Sequence, residues 1–245
     1  MSTIELAFLG TGKYLAAGRY WNSFVIDRHI LVEPSPTSMP HLARVGLAAS
    51  DIDTMFVSHF HPDHTYGYPF FALEAARLAK PNRASVLHIV GPPGVEAFLA
   101  ELLHLGGVDN VHEVFHQFLD IRYVEVDGTD QTAGDVHFRA VRVVHVPHLE
   151  CFGYLIQRDP GRTLGYSGDT EPCAGLDQLA ANCDTLVLEC NGPHRAPSHM
   201  DVGSVRQLRA RFPDTAFVLT HMGEGIDASD IAATTVPDDF DVLTV

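Results

Sequence analysis

Three histidines and one aspartate lie within six consecutive positions of this chain, in residues 59–64. They follow directly on the apolar run 54–57, which has the composition of a buried strand. A strand that ends in such a cluster brings several side chains to one point, because the strand fixes the backbone direction and only the loop has to curl. Imidazole and carboxylate are ligands of zinc, manganese and iron(II), and this set is richer than a structural zinc site normally takes from one loop. The segment therefore predicts a metal site at the end of a strand.

Further ligand-type residues stand at the ends of later strand-like runs. His148 precedes one such run, and Asp169 and His221 each follow another. The loops at the edge of a sheet are where a β scaffold presents functional side chains. A single histidine at a strand end is usually an ordinary polar group, but this repetition favours one shared site with two metals. His145 lies close by and competes with His148; we prefer His148, which is nearer the loop, and leave the alternative open.

The apolar pattern predicts an α/β chain built as a four-layer αββα sandwich. Strands are predicted near residues 4–9, 22–27, 29–33, 54–58, 85–90, 123–126, 136–146, 152–157, 163–167, 185–189 and 217–219. Helices are predicted near residues 68–80, 93–105, 176–182 and 201–212, the last capped by Ser198 or Asp201. Strands flanked by helices in both halves give two facing sheets with the ligands along one edge. No linker or repeat divides the chain, so one domain over residues 1–245 is predicted.

The charge balance restricts the partners. The chain has a formal net charge of −15, and after Arg211 it contains neither lysine nor arginine while acidic residues accumulate. An acidic body repels a polyanion over about a Debye length, so long nucleic acids are disfavoured as partners. Acidity that serves only solubility would give the same composition. We expect a small anionic substrate as the partner, and the sequence leaves a homodimer open.

The compartment is predicted from the first residues and from the cysteines. Residues 4–9 indicate a strand and not a signal peptide, and no apolar run approaches the roughly 18 residues of a membrane span. The four cysteines have no Cys-x-x-Cys spacing, which fits buried thiols in a reducing compartment. A cytoplasmic protein with no membrane contact is predicted.

Together the motifs resemble those of the metallo-β-lactamase superfamily and, within it, the ribonuclease Z-like phosphodiesterase branch. The resemblance covers nearly the whole chain. It rests on an opening strand with a glycine turn (5–12), a His-x-His-x-Asp-His motif (59–64), a Ser-Gly-Asp-Thr signature (167–170) and a Leu-Thr-His motif (219–221). It implies the metallo-β-lactamase sandwich and a hydrolase with two divalent metal ions. Zinc is the expected metal, and manganese is the alternative.

The resemblance also implies how the ligands divide between the two ions. The first ion would be held by three imidazoles, those of His59, His61 and His148. The second would be held by Asp63, His64 and His221, and Asp169 would bridge the two. Two divalent ions about 3.5–4 Å apart lower the pKa of a shared water toward 7, which gives a metal-bound hydroxide at neutral pH. Such a site would be a local region of positive electrostatic potential in an acidic protein, suited to a small anion.

A proton donor is implied as well. In this branch a glutamate orients a histidine that is not a ligand, and that histidine protonates the leaving oxygen; Glu189 and His199 fall at the matching positions. A phosphodiester needs such an acid because an alkoxide is a poor leaving group. Together with Asp63 they are the candidate catalytic residues. In the simpler alternative Glu189 only anchors a strand end and His199 only caps a helix, while His194 competes from a proline-rich turn.

The function predicted from the sequence is hydrolysis of small phosphodiesters at a dinuclear metal site. Three features depart from the branch. Residues 31–37 replace its Asp-Cys-Gly-Glu-Gly turn, the spacing after His148 is one residue short, and the segment 107–141 has no basic run like the arm that grips tRNA. The alternatives are hydrolysis of a sulfate ester, lactone or thioester, tRNA 3′-processing as by ribonuclease Z, iron-dependent redox chemistry, and non-catalytic binding.

Overall fold

Two seven-stranded β-sheets form the centre of the molecule. The computed structural model describes residues 3–78, 85–110, 119–158 and 161–245. In spatial order, and numbered along the chain, the first sheet contains β14 (Val242–Thr244), β1 (Glu5–Gly10), β2 (Ser23–Ile26), β3 (Ile30–Val32), β4 (Thr54–Phe56), β5 (Ser85–Gly91) and β6 (Leu119–Glu125). The second contains β13 (Thr234–Thr235), β12 (Ala216–Thr220), β11 (Thr185–Glu189), β10 (Arg162–Tyr166), β9 (Cys151–Arg158), β8 (Val136–Val143) and β7 (Asp130–Ala133).

Helices cover the outer face of each sheet. Those on the first sheet are α1 (Ser38–Arg44), α3 (Tyr68–Leu78) and α4 (Val95–Leu105). Those on the second sheet are α5 (Ala174–Ala181) and α6 (Val202–Arg211). A 3₁₀ turn, Ala49–Asp51, precedes β4, and the single turn α2 (Pro62–Thr65) follows it. The αββα sandwich predicted from the sequence is confirmed.

Alternation along the strands divides the first sheet's side chains between two cores. In β1, Leu6 and Phe8 belong to the core between the sheets, whereas Leu9 packs under the helices. In β3, Val32 lies between the sheets and Leu31 faces the helices. Because both faces of the sheet are covered, its strands are continuous apolar runs. Each fully buried aliphatic side chain contributes about 1.5–3 kcal/mol to the stability of the fold. The continuous apolar pattern makes these strands easy to locate in the sequence.

Strand β9 fastens the second sheet to the strand that carries the His-rich loop. The Tyr154 hydroxyl donates to the carbonyl oxygen of Val57 at 2.6 Å, and the Phe152 N–H donates to the carbonyl oxygen of Ser58 at 3.0 Å. The Tyr154 ring also packs against Phe56, with ring centroids 4.9 Å apart. These contacts fix the point at which the His-rich loop begins.

Parallel strands deliver the loops of each sheet to a common edge. β3, β4, β5 and β6 are parallel to one another, and so are β10, β11 and β12. β8 and β10 are both antiparallel to β9, so they run in the same direction. The segments after β8, β10, β11 and β12 therefore leave the second sheet at one edge, where the Phe152–Ser58 contact brings in the segment after β4.

The sequence pattern does not predict α1, α2, β7, β13 or β14. The polar strand β7 forms because a two-residue turn pairs it with β8, and β14 forms the edge of the first sheet by pairing with β1. Residues 79–80 of the predicted helix 68–80, and residues 111–118 of the segment 107–141, lie outside the described residues. Within the described ranges, no helix has both the length and the apolar character needed to cross a bilayer.

Candidate metal centre

The His-rich segment leaves β4 and turns at once into α2. Pro62 occupies the first helical position, where its fixed φ starts the turn and its missing N–H costs nothing. The residue before it, His61, has an extended backbone with φ −64° and ψ 149°. This change of conformation within one segment sends His59 and His61 to one group of donor atoms and the next two ligand-type residues, Asp63 and His64, to a second.

The first donor group consists of His59, His61, His145 and Asp169, whose donor atoms all lie within 4.8 Å of one another. His61 Nδ1 is 2.9 Å from His59 Nε2 and 3.2 Å from His145 Nε2. Nitrogen ligands of a tetrahedral zinc, each 2.0–2.1 Å from the metal, lie about 3.3 Å apart. The group thus has nearly the spacing of ligands around one cation.

The second donor group consists of Asp63, His64 and His221, whose donor atoms also lie within 4.8 Å of one another. Asp169 lies between the two groups. Its Oδ2 is 3.5 Å from His64 Nε2, 3.4 Å from His221 Nε2 and 3.8 Å from His145 Nε2. Because this oxygen faces donors of both groups, the carboxylate lies where a ligand that bridges two cations would have to lie.

Gly168 allows Asp169 to reach this place. Its φ is +57°, and a Cβ on it would lie 2.6 Å from the carbonyl oxygen of Phe152. Glycine alone accepts both the left-handed conformation and the close approach of another backbone. The glycine of the Ser-Gly-Asp-Thr signature is therefore required by the turn that presents the aspartate.

Several buried donor atoms have no hydrogen-bond partner in the polypeptide. They are His64 Nδ1 and Nε2, Asp169 Oδ1 and His221 Nδ1. A buried polar atom left unpaired costs about 1–3 kcal/mol, so their convergence in one place requires a further partner. Divalent cations of the zinc and manganese class bind imidazole and carboxylate together. The residues present therefore fit the divalent metal ions that the resemblance implies.

The imidazoles of the first donor group are held neutral. Burial lowers the pKa of His59 well below its usual value, and positive charge on His64 lowers it further. Burial also lowers the pKa of His61 and of His145. Neutral imidazole is the form that binds a metal, so these side chains need lose no proton at neutral pH.

Asp169 keeps its negative charge at the centre of the site. Burial by itself would raise its pKa, but the charges of His221 and His64 outweigh burial and hold the pKa well below its usual value. For His64, burial would lower the pKa, yet Asp169, Asp63 and Glu33 together raise it well above the usual value. In the polypeptide alone a proton on His64 balances these carboxylates. A bound cation would displace that proton, so metal affinity should fall as the pH falls.

The structure corrects the choice between His145 and His148. The His145 side chain is 3% exposed and belongs to the first donor group, whereas His148 is exposed and lies outside both groups. The His145 Nδ1–H donates to the carbonyl oxygen of Ser198 at 2.8 Å, which leaves Nε2 to face the other donors. His148 was preferred from the sequence because it is nearer the loop. The site lies instead at the end of β8, which ends two residues before His145.

We expect alanine substitutions of these two histidines to have different effects. His145→Ala should weaken the binding of one metal ion by about 100-fold or more, since even partners behind a ligand are worth 10–100-fold in affinity. His148→Ala should keep the wild-type metal content because its side chain faces solvent. Elemental analysis after dialysis, followed by zinc titration, measures both. Equal metal loss in the two variants, or none in either, would contradict the position assigned to His145.

Glu189 and His199 are in direct contact beside the donor groups. His199 Nδ1 lies 2.9 and 3.2 Å from the two carboxyl oxygens of Glu189, and Glu189 Oε1 also accepts the N–H of Thr170 at 2.6 Å. One ring nitrogen of His199 lies within 4.8 Å of donor atoms of Asp169 and His221. Burial raises the pKa of Glu189 well above its usual value, and the charge of Asp169 raises it further. Burial lowers the pKa of His199, which makes its imidazolium a stronger acid.

The helix-cap role for His199 and the competing residue His194 do not fit the structure. Helix α6 begins at Val202, and its N-cap is Asp201, whose carboxylate accepts the N–H of Ser204 at 2.6 Å. His199 therefore precedes the helix without capping it. The competing His194 is exposed and lies outside both donor groups. The structure brings together every sequence-predicted site residue except His148.

Glu33, which the sequence argument treated only as part of a departure from the family, lies directly behind the site. Its buried carboxylate accepts the N–H of Ser58 at 3.2 and 3.3 Å and the Tyr166 hydroxyl at 3.0 Å. Its Oε1 also lies 3.5 Å from His64 Nδ1. A carboxylate behind a metal-ligand imidazole fixes its orientation. The signal that could have identified it is a charged residue at the end of an apolar strand, directly before a proline.

Three residues around the same point have a strained backbone. Glu33, Ser198 and His221 have φ values of 58°, 64° and 51°, in the left-handed region that L-residues rarely adopt. Such conformations cost about 1–3 kcal/mol each and persist where the surroundings fix them, commonly at functional sites. Glu33 supplies the carboxylate behind His64, and Ser198 supplies the carbonyl oxygen that orients His145. His221 is a donor of the second group.

The donor groups open to solvent through a cavity of about 250 Å³. Its walls include His61, Asp63, His199 and Pro197. Tyr14, whose side chain is 59% exposed, also lines it. Sequence reasoning missed Tyr14, because it comes from the loop after β1, far from every metal-site motif.

Comparison with known proteins agrees with this geometry. The profile of the family described as "Anti-Pycsar protein Apyc1" matches residues 4–236. A ribonuclease Z from Myxococcus xanthus is 26% identical over 236 residues, covering 77% of this chain and 75% of that protein. The profile match spans every segment that carries the donors.

Two solved structures show the same fold. The metallo-β-lactamase fold protein YhfI from Bacillus subtilis has a TM-score of 0.77 at 16% identity and covers 99% of this chain and 100% of its own. A diphosphatase of the PhnP family has a TM-score of 0.76 at 16% identity and covers 98% and 97%. At these identities the likeness establishes the fold, which is the metallo-β-lactamase sandwich that the motifs imply.

Proposed function

The chain belongs to the Anti-Pycsar protein Apyc1 family and is a metallo-β-lactamase-fold hydrolase of the ribonuclease Z-like branch, and we propose a function from this premise. We propose that it hydrolyses small phosphodiesters with two divalent cations. We propose zinc as the metal and manganese as the alternative. The residues that would hold the first ion are His59, His61, His145 and Asp169. Those for the second are Asp63, His64, His221 and Asp169. When bound, such ions lower the pKa of water toward 7 and neutralise charge on phosphoryl oxygens.

The Glu189–His199 contact is the observation that carries the proposal. A metal pair alone can serve esters, lactones and thioesters, where attack on the carbonyl carbon is usually the slow step. A histidine fixed by a buried carboxyl group next to the donors adds what an alkoxide leaving group needs, a proton. Because Nδ1 is engaged by Glu189, Nε2 is the nitrogen that remains to give a proton to the departing oxygen.

Asp63 has a second role in this proposal. It lines the cavity and lies 3.5 Å from His221 Nε2. Burial would raise its pKa, but charge on His64 and the hydrogen bond from His221 outweigh burial and lower it. Its carboxylate is therefore ionised at neutral pH and able to accept a hydrogen bond from the attacking water, which orients that water.

Charge and size favour a small substrate over tRNA. A cavity of about 250 Å³ accepts a phosphodiester and part of its substituents, and the net charge of −15 repels a long polyanion. Cleavage of precursor tRNA is the second candidate, favoured by the similarity to the ribonuclease Z of Myxococcus xanthus.

A substrate panel with the zinc- or manganese-loaded protein tests the proposal. It contains bis-p-nitrophenyl phosphate, thymidylyl-thymidine, an aryl sulfate, a lactone, a thioester and a precursor tRNA. We expect hydrolysis of both phosphodiesters and no cleavage of the tRNA. Faster turnover of the sulfate, lactone or thioester would overturn the assignment of substrate class, and specific cleavage of the tRNA would replace it with the second candidate.

A further inference from the structure

Lys13 places a positive charge beside the site. Its backbone N–H donates to the carbonyl oxygen of Met222 at 3.1 Å, and its Nζ donates to Asn191 Oδ1 at 3.0 Å. A Cβ on Gly223 would lie 2.3 Å from the carbonyl oxygen of Asn191, so glycine is required there, and it would lie 3.2 Å from Nζ, so the ammonium passes closely over the same residue. Asn191 and Gly223 each stand two residues beyond a site residue, Glu189 and His221 respectively. The ammonium therefore lies between the two loops that carry the candidate acid's partner and a metal donor.

Lys13 forms no ion pair with a carboxylate among the described residues, whereas nine of the arginines do. Within the described residues, ion pairs with carboxylates are made by Arg19, Arg28, Arg77, Arg122, Arg139, Arg142, Arg158, Arg206 and Arg211. The Lys13 ammonium instead donates a hydrogen bond to the neutral amide of Asn191, which is buried. An amide positions an ammonium without neutralising it, so its charge stays available to an anionic ligand.

The residue after Lys13, Tyr14, lines the cavity, and so does His221, two residues before the Gly223 that the ammonium passes over. Burial lowers the pKa of His199, and the charge of Lys13 lowers it further, as expected for a cation close to that imidazole. An ammonium is a common phosphate ligand in proteins, where it acts as a point charge.

The loop that carries Lys13 is held at both ends by the acidic C-terminal segment. Asp239 accepts hydrogen bonds from the N–H and hydroxyl of Thr11 and from the N–H of Tyr20, each at 2.8 Å. Arg19 donates to the carbonyl oxygen of Pro237 at 2.9 Å. Binding an anion therefore costs little ordering of this loop.

We propose that the Lys13 ammonium binds a non-bridging oxygen of the substrate phosphodiester and that Asn191 positions it for this contact. The inference rests on the proposed function for the identity of the anion. The substrate would then be bound by Lys13 as well as by the metal ions. Positioning of Lys13 is the role that this assigns to the buried Asn191 side chain.

The test measures the affinity of the metal-loaded protein for inorganic phosphate by calorimetry, alongside kinetics with thymidylyl-thymidine. Lys13→Gln removes the charge but keeps a group able to contact Asn191, and Lys13→Met removes both. Each should weaken phosphate binding and raise KM by about 10–100-fold, the range of one hydrogen bond to a charged group, with a smaller change in kcat. Lys13→Arg should recover most of the affinity. Arg122→Gln, which removes a positive charge from an exposed ion pair, is the matched control and should stay within about twofold of wild type.

Metal content and thermal unfolding of every variant distinguish binding from a structural role. Wild-type phosphate affinity in Lys13→Gln with both metals present would overturn the inference, and so would loss of metal in both neutral variants. If the wild type hydrolyses no phosphodiester but binds phosphate through Lys13, the proposed function fails while the anion contact stands. If the wild type hydrolyses phosphodiesters and Lys13→Gln does so with unchanged KM, the proposed function stands while the anion contact fails.

Discussion

Asp169→Ala is expected to remove metal and phosphodiester hydrolysis together. The Asp169 Oδ2 lies 3.4–4.0 Å from nitrogens of His59, His64, His145 and His221, so this carboxylate serves both donor groups. Without it, metal content should fall to one ion or fewer per chain. Activity should fall by about 10³-fold or more, since a metal ion supplies several kcal/mol of transition-state stabilisation. Elemental analysis and turnover of bis-p-nitrophenyl phosphate measure the two effects on one sample.

Asp130→Ala is the matched control for this variant. Asp130 is an exposed carboxylate paired with Arg139 on the outer strands of the second sheet, and such pairs contribute about 0–1 kcal/mol. It should retain both metal and activity. A purely structural Asp169 would give a different result, in which thermal stability falls while metal content and turnover per folded molecule stay at the control's level.

His199→Ala is expected to slow hydrolysis in proportion to how much the leaving group needs a proton. With thymidylyl-thymidine, whose leaving oxygen departs as an alkoxide, the rate should fall by about 10²–10⁴-fold. With bis-p-nitrophenyl phosphate it should fall much less, because nitrophenolate departs without protonation. Metal content should stay at the wild-type level, since the ligands of each ion are complete without His199. The ratio of the two rates, measured at matched metal content, is the readout.

His194→Ala is the control for His199, because it removes an exposed histidine five residues away. It should leave the rates for both substrates unchanged. Equal losses on both substrates in His199→Ala would mean that this residue positions something other than the leaving group. Loss of a metal ion would make it a ligand, as its place within 4.8 Å of Asp169 and His221 donor atoms allows.

The part of the site that the sequence predicts well is the part encoded by local segments. The His-rich loop, the turn before Asp169 and the residue after β12 all follow apolar strands, and the sheets bring those strand ends together. The contact between Glu189 and His199 was expected from the family resemblance alone, and the two side chains do meet. The sandwich follows from strands buried on both faces, whose apolar runs are unmistakable.

The features that sequence reasoning missed depend on contacts between distant segments. His145 is selected over His148 by the carbonyl oxygen of Ser198, which lies 53 positions further along the chain. Glu33 becomes part of the site through Ser58 and Tyr166, and Tyr14 through the loop after β1. No local pattern in a single sequence contains these pairings.

The short edge strands escaped prediction for a related reason. β7 and β14 have only four and three residues, and little of either is buried. Each forms because a neighbouring strand offers unpaired backbone groups, in β8 and β1 respectively. The acidic residues near the C-terminus, which the sequence suggested either repel polyanions or serve solubility, include Asp239, which fixes the loop that carries Lys13 and Tyr14.

The number of metal ions per chain tests the central claim most directly. Metal-free protein would be titrated with zinc by calorimetry, and the bound metal would be counted by elemental analysis while hydrolysis of bis-p-nitrophenyl phosphate is followed in parallel. The two donor groups joined by Asp169 predict saturation close to two ions per chain, with activity that rises as the second ion binds. Saturation at one ion or fewer with full activity, and no further uptake of zinc or manganese, would contradict the account.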